Sequence, residues 1–471
     1  MRKMLPTLLA ALVVLPVLLT PRVAPAEDLI QIYDLAVQSD PKLRESEQTL
    51  FATKEKRPQA MALLLPNVSV QGTGDFNKYE NRAAVSPTTG VTAGFAQSLG
   101  MTPGILPDKS QTYLSQNGRA TLKQPVYNRG YWMSLKQTDS IIAAAEAQYR
   151  SAQIDLMVRT TEKYLAVLQA ADQVMVGESQ VRSFERQLEQ SKQRFEVGLV
   201  AITDVNDNQA QYDISVANLI GYKKALDDAW EALRVIVGPI KMPPLARLGE
   251  KLPLAPPKPN NVTAWSDSAQ RHNYTIVAAA ENAASAKTNI EVQQSGHYPQ
   301  LDLHASYDIN RSGYIYGNDA NTGIVGLTLT VPLYQGGAVV SRTREAGYQF
   351  RAAQDKLDQA RRDVDQQVKD SFRGVLSSIE DVKARQTAVA STLASVASTE
   401  AGLEVGTRTQ VEVLIAQQKY FQAEYEYLAS RYKYILNGLK LHQATSTLTR
   451  DILARGNAWL NSNDKVMPPT Y

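Results

Sequence analysis

Cysteine is absent from the 471 residues, which removes disulfides, thiolate metal sites, cysteine nucleophiles and a lipidated N-terminal cysteine together. Histidine is scarce, with His272, His297, His304 and His442 scattered and showing no paired metal-ligand spacing. Gly-x-Ser-x-Gly, phosphate-loop and dinucleotide motifs are missing too, so no enzyme class, cofactor or metal is expected. Long hydrophobic runs are missing except at the start of the chain, which excludes a polytopic helical membrane protein. Charge of one sign is also missing. Once Arg2, Lys3 and Arg22 of the leader are set aside, the 50 basic residues fall to 47 and equal the 47 acidic ones. No basic surplus remains for nucleic acid.

The one apolar run has the pattern of an export signal. Arg2 and Lys3 form a positive region, Leu5 to Leu19 an apolar core, and Ala24-Pro25-Ala26 a cleavage motif. Residues 1–26 are therefore expected to be a signal peptide.

The rest of the chain repeats itself. Glu196-Val197-Gly198 recurs as Glu404-Val405-Gly406, and Thr121, Leu122, Pro125, Tyr127 and Gly130 recur as Thr328, Leu329, Pro332, Tyr334 and Gly337. This places a first repeat at 27–238 and a second at 262–450, separated by a proline-rich connector at 239–261 and followed by a C-terminal segment at 451–471.

Each repeat reads as helix, strand, loop, strand, very long helix, tight turn, helix. Strands are expected at about 67–76 and 119–126, then 300–309 and 324–333, each of a length that crosses a bilayer when tilted. Four strands cannot close a barrel, and open strand edges are not tolerated in lipid, so spanning strands would require oligomerisation. A soluble four-stranded sheet packed on helices is the competing reading. The segment between the first two strands, Asn77 to Gly118, is expected to be a long loop facing outward and the shorter Asn310 to Gly323 its counterpart.

After the second strand of each repeat, proline is absent for about 70 residues, enough at about 1.5 Å per residue for a rod on the order of 100 Å long. In the second rod Val368, Val375, Val382, Val389, Val396 and Leu403 recur every seven residues, the period of a coiled-coil seam. Gly198 and Gly406 supply helix-ending residues. Return helices are expected at about 203–237 and 409–448.

Three stretches carry a resemblance: Arg194-Phe195-Glu196-Val197-Gly198-Leu199-Val200-Ala201-Ile202-Thr203-Asp204-Val205, Val331-Pro332-Leu333-Tyr334-Gln335-Gly336-Gly337 and Val405-Gly406-Thr407-Arg408-Thr409. With the duplication and the signal peptide they resemble the TolC family of outer-membrane exit ducts. The resemblance implies a mixed α and transmembrane β fold, in which a homotrimer forms a 12-stranded β-barrel continuous with a 12-helix α-barrel tunnel. It also implies an equatorial belt built from mid-length helices, connector and C-terminal segment. The implied role is that of a passive duct in the outer membrane with a periplasmic tunnel. An inner-membrane RND or ABC transporter and a periplasmic adaptor (membrane fusion protein) would recruit it, for tripartite efflux or type I secretion. A periplasmic coiled-coil adaptor or scaffold without a barrel is the alternative.

The resemblance further implies a gate at the hairpin tips, in which Arg408 pairs with Thr203 and Asp204, and an acidic ring at Glu412. Thr409-Gln410-Val411-Glu412 also has capping-box spacing, so Glu412 has a second candidate role at its own helix start. Ile415 and Leu403 depart from the family pattern, which has a second acidic residue and a tyrosine there. The turns Val197-Gly198-Leu199 and Val405-Gly406-Thr407 are the expected adaptor-docking surface.

Overall fold

The computed structural model describes residues 28–80, 111–313 and 319–469. The expected signal peptide at 1–26 and residues 81–110 of the first strand-to-strand segment lie outside these.

Helix α1 (Leu29–Ser39) begins at a capping box, Asp28 accepting from the Gln31 N–H while the Gln31 side chain accepts from the Asp28 N–H. Asp40 ends α1 and starts α2 (Pro41–Lys54), accepting from Leu43 N–H at 2.8 Å, with Pro41 at the first helical position. α3 (Lys56–Ala62) leads into β1 (Asn67–Tyr79), and β2 (Gln111–Tyr127) is followed by α4 (Arg129–Glu196) and α5 (Ile202–Val237). The second half contributes β3 (Leu245–Leu248), α6 (Val262–His272), α7 (Tyr274–Gln294), a 3-10 turn (Ser295–His297), β4 (Gln300–Ser312) and β5 (Ala320–Thr330). It continues with α8 (Ala338–Glu404), α9 (Gln410–Ala444), α10 (Arg450–Asn457) and β6 (Leu460–Val466).

Residue contacts divide the chain into two compact units that cut across the repeats. Among the described residues one gathers 28–47, 148–276 and 361–469, the other 48–80, 111–147, 277–313 and 319–360. In the first unit Phe184 of α4 meets Phe421 of α9 edge-on, 6.3 Å between ring centres, and Gln169 donates to the Tyr425 hydroxyl at 3.0 Å. Its fully buried side chains include Tyr164, Leu168, Trp230 and Leu441. The heptad seam of α8 is buried at Val368, Val375 and Val382 but only half-buried at Val389, Val396 and Leu403. Leu393 is 52% exposed, so toward the tip a single chain does not fill the seam.

β3 and β6 pair antiparallel, so the connector and the C-terminal segment, for which a shared equatorial belt but no strand was expected, form a small sheet together. A buried polar cluster fastens it. Asp172 of α4 accepts from the Tyr432 hydroxyl of α9 at 2.6 Å and pairs with Arg247 of β3 at 3.1 Å, and Arg247 lies 3.4 Å from Asp464 of β6. Burial raises the Asp172 carboxyl above its ordinary value, against the lowering effect of the Tyr432 hydrogen bond and of Arg247.

The second unit holds an antiparallel sheet of order β1-β2-β4-β5. Its register sorts the side chains by face. Val68 opposes Leu122, Val70 opposes Ala120, Phe76 opposes Leu114, and across the sheet Leu303 opposes Leu327 and Leu301 opposes Leu329. Leu122 and Ala120 in turn oppose Ala305 and Tyr307, which makes the apolar face continuous over all four strands. The opposite face is polar: Ser69 and Thr121 hydroxyls are 2.7 Å apart, Arg119 pairs with Asp308, and Lys123 lies 3.6 Å from Asp302. Among the described residues nothing covers the apolar face, with Val70 81%, Phe76 84% and Val325 78% exposed. Among the described residues the edge strands β1 and β5 each pair with one neighbour.

Several expected boundaries move. β1 runs on to Tyr79 and β2 begins at Gln111, so much of what reads as the ends of a 77–118 loop is strand, of which 81–110 lie outside the described residues. β4 likewise runs to Ser312 and β5 starts at Ala320. The extensions are polar and glycine-bearing, so they read as loop in the sequence although their backbones continue the ladder. β5 stops at Thr330 rather than 333, because Pro332 has no N–H to donate. α9 stops at Ala444 rather than 448, where Ser446 takes φ 54° and turns the chain.

Candidate functional site at the hairpin tips

Both long helices end in the same motif. Gly198 has φ 76° and Gly406 φ 78°, backbone that favours glycine because a Cβ would crowd the neighbouring carbonyl. At the first tip the Leu199 N–H donates to the Arg194 carbonyl at 2.8 Å and Gly198 to Phe195 at 2.9 Å. At the second, Thr407 donates to Gly402 at 2.8 Å and Gly406 to Leu403 at 3.1 Å. These are Schellman caps, which satisfy the orphaned carbonyls of the last turn. The docking triplets Val197-Gly198-Leu199 and Val405-Gly406-Thr407 therefore form tight turns. Val197 is 69%, Leu199 74% and Val405 74% exposed.

Within the chain, Arg408 does not reach Thr203 or Asp204. Its Nη1 donates to Glu412 Oε1 at 2.7 Å, four residues on in the first turn of α9, and the Arg408 side chain stays 56% exposed. Asp204 instead turns back to the Ala201 N–H at 3.4 Å and Thr203 is exposed. The reason is local: an i,i+4 pair needs only a rotamer, whereas a contact across hairpins needs both helices in register.

Glu412 takes the helix-start role. Its Oε2 accepts from the Thr409 N–H at 2.8 Å while Thr409 Oγ1 accepts from the Glu412 N–H at 3.3 Å, a reciprocal capping box. The Thr409 N–H first, and the Arg408 guanidinium second, hold this carboxyl below the usual glutamate value.

The bond that joins the two hairpins at this level was not anticipated. Gln410 Nε2 of α9 donates to Asn208 Oδ1 of α5 at 3.1 Å, and Asn208 Nδ2 donates to the Asp204 carbonyl at 2.8 Å. Asn208 is 1% exposed. The sequence signal was slight, an asparagine in a helix interior where it is disfavoured unless it has a partner. Above it, Gln417 donates to Glu400 at 2.8 Å, and Arg385 pairs with Glu426 and, at 2.9 Å, with Asp381, tying α8 to α9.

A sheet with one uncovered apolar face, joined to helices of 68 and 67 residues whose ends are polar-linked turns, defines a membrane-seated duct subunit. The comparisons agree. The Outer membrane efflux protein family model matches residues 32–239 and 265–447, and the chain belongs to that family. It is similar to Outer membrane protein TolC of Escherichia coli (strain K12), 34% identical over 446 residues that cover 92% of this chain and 85% of that one. It is also similar to Proteases secretion protein PrtF of Dickeya chrysanthemi, 26% identical over 443 residues, 93% of this chain and 92% of that one. Among solved structures the fold matches CusC with TM-score 0.73, at 15% identity, covering 89% of this chain and 92% of that one. The protein is thus an outer-membrane protein of the channel-tunnel fold, in a family of ducts rather than of enzymes. An adaptor without a membrane sheet, the alternative reading, has no use for the apolar face.

Proposed function

We propose that this outer-membrane exit duct works as a homotrimer. Three four-stranded sheets close a 12-stranded barrel, and a periplasmic adaptor with an inner-membrane RND or ABC transporter recruits the tunnel for efflux or type I secretion. The observation that supports closure by several copies is the open outer edge of β1 and of β5 beside an apolar face: in lipid each unsatisfied backbone group costs several kcal/mol, and pairing β1 of one copy with β5 of the next removes both edges, while the number three follows the twelve-stranded barrel that the family resemblance implies. A water-filled lumen lined by the polar face spares a polar cargo the cost of crossing lipid. The duct is passive, and the transporter supplies the energy.

The gate is assigned to the tips. Arg408 is exposed enough to exchange its Glu412 contact for Thr203 and Asp204 at little cost. Three Glu412 carboxylates brought to one axis form the acidic ring. The exposed turns at Val197-Gly198-Leu199 and Val405-Gly406-Thr407 dock the adaptor's helical hairpin.

The test exploits the absence of cysteine. One cysteine at Gln71 and one scanned along Ala320–Thr330 should crosslink chain to chain into a trimer that survives heating in detergent and falls to monomer on reduction. β1 and β5 of one chain lie three strand spacings apart, about 14 Å, beyond disulfide reach. A protein that stays monomeric and uncrosslinked in detergent defeats the proposal.

A further inference from the structure

Beside the β3–β6 sheet the first unit encloses a cavity of about 450 Å³, lined by parts of α1, α4, α9 and α10, by the connector, and by the cross-strand pair Leu248 and Leu460. It has no part in the duct, gate or docking roles above. This chain alone builds its floor, where Leu165, Leu441 and Leu453 are 3%, 2% and 1% exposed. The half-buried Leu248, Ile452, Trp459 and Leu460 complete the apolar lining and keep accessible surface. A volume of this size lies in the range of small-molecule sites, about 300–1,000 Å³.

Two helical positions in the wall are glycine, a residue that weakens a helix interior. Elsewhere close packing demands one: a Cβ at Gly177 would lie 2.8 Å from the Tyr222 ring. At Gly438 of α9 and Gly456 of α10 a Cβ would meet nothing within 4 Å. These two glycines leave the wall open where a side chain would fit.

Most polar groups of the wall are engaged within the chain. Tyr164 donates to the Ala246 carbonyl at 2.8 Å, the Tyr434 hydroxyl accepts from the Ala255 N–H at 3.1 Å, and the Trp265 indole donates to the Pro259 carbonyl at 2.8 Å. His442 is the exception. Its Nδ1 is 3.0 Å from the Thr447 hydroxyl and its ring meets Trp265 edge-on, 5.3 Å between centres, which fixes the imidazole. Its Nε2 has no partner among the described residues. Burial first, and the nearby Arg455 guanidinium second, hold this imidazole below the ordinary histidine value, so it is neutral at pH 7.

The charges of the lining have one sign. Lys258 and Arg455 contribute cations, and among the described residues no aspartate or glutamate lines the cavity. A cationic ligand would meet like charge there. An apolar body leaves water for such a space, and a guanidinium pairs with a planar carboxylate through two parallel hydrogen bonds. We infer that the cavity binds an amphipathic carboxylate, a small molecule whose aromatic or alicyclic body fills the apolar space while its carboxylate meets Arg455 and the His442 Nε2.

The test is calorimetric titration of the full chain in lipid nanodiscs, with empty nanodiscs as the blank. The probes are 2-naphthoate, 2-naphthylmethanol and 2-naphthylmethylammonium, which share one ring system and differ in charge. Naphthoate should bind saturably, one per chain, and about tenfold or more tighter than the other two. Arg455→Gln should weaken naphthoate about tenfold, as for loss of a charge-assisted hydrogen bond, and leave naphthylmethanol unchanged. Gly438→Leu, which puts a side chain into the open space, should abolish binding of both. Equal affinities for the three probes would make the cavity merely apolar, and naphthoate affinity unchanged in Arg455→Gln would remove the anion contact; either overturns the inference. Binding that persists in Gly438→Leu places the probe elsewhere and overturns the site. Should that variant fold poorly, Arg455→Gln, on an exposed side chain, still decides. The cavity lies within one chain, so the result does not turn on the trimer or the barrel.

Discussion

Gln410 Nε2 donates to Asn208 Oδ1 at 3.1 Å, and this bond joins the return helix of one hairpin to that of the other. Asn208 is fully buried, so its loss leaves an amide group without a partner. Asn208→Leu or Gln410→Leu should therefore loosen the tips. A buried hydrogen bond contributes about 0.5–1.5 kcal/mol, which corresponds to a roughly two- to tenfold gain in the open population. Single-channel recording in planar bilayers reads it directly, and unchanged open probability in both variants would remove this bond from the gate.

Arg408→Ala tests the gate assignment from the other side. The guanidinium is shared between Glu412 within the chain and the proposed contact with Asp204, so its removal should raise open probability in the same recordings. Channels that conduct like wild type would show that Arg408 only accompanies the helix start. Gly402→Ala should mimic the loss without touching Arg408, because the added Cβ would sit 2.6 Å from the Arg408 Cγ and force the side chain away.

The tip should also soften in acid. Glu412 has a folded pKa below its unfolded value, first because of the Thr409 N–H and then because of Arg408. Its contribution is thus present above the unfolded pKa and is lost as pH falls through the folded one. Hydrogen exchange of the segment around Gln410, corrected for intrinsic rate, should lose protection below the ordinary glutamate range. Glu412→Gln should flatten that dependence; a variant as pH-sensitive as wild type would assign the effect elsewhere.

The cluster around Asp172 has the opposite sign. Burial raises its folded pKa, so its contribution to stability is greatest below the unfolded pKa and declines as pH rises through the folded one. At neutral pH it is Arg247 and the Tyr432 hydroxyl that make the buried carboxylate tolerable. Tyr432→Phe should cost about 1.5–3 kcal/mol, the scale of one hydrogen bond to a charged group. Asp172→Ala should cost about 3–5 kcal/mol, because it leaves the mostly buried Arg247 without its closer carboxylate. Thermal unfolding of the detergent-solubilised protein should rank them in that order; the reverse order would mean the cluster is not held by charge pairing.

Local features were legible in the residues. The seven-residue spacing of Val368, Val375 and Val382 and the glycines at 198 and 406 report on the backbone next to them, and these elements lie within a few residues of where the pattern puts them. The ends of β1, β2 and β4 were not legible, because Asn77, Ser115 and Asn310 are polar and look like loop residues until the register places them opposite strand partners.

The sequence by itself determined the duplicated order of strands and long helices, because hydrophobic period and turn residues act over a few positions. Only the tertiary structure decided that Arg408 turns to Glu412, that Gln410 reaches Asn208 and that β6 pairs with β3. Those outcomes depend on which side chains meet across a register of hundreds of residues, and nearby rotamers compete for the same donors. Periodicity in one segment carries no record of that competition.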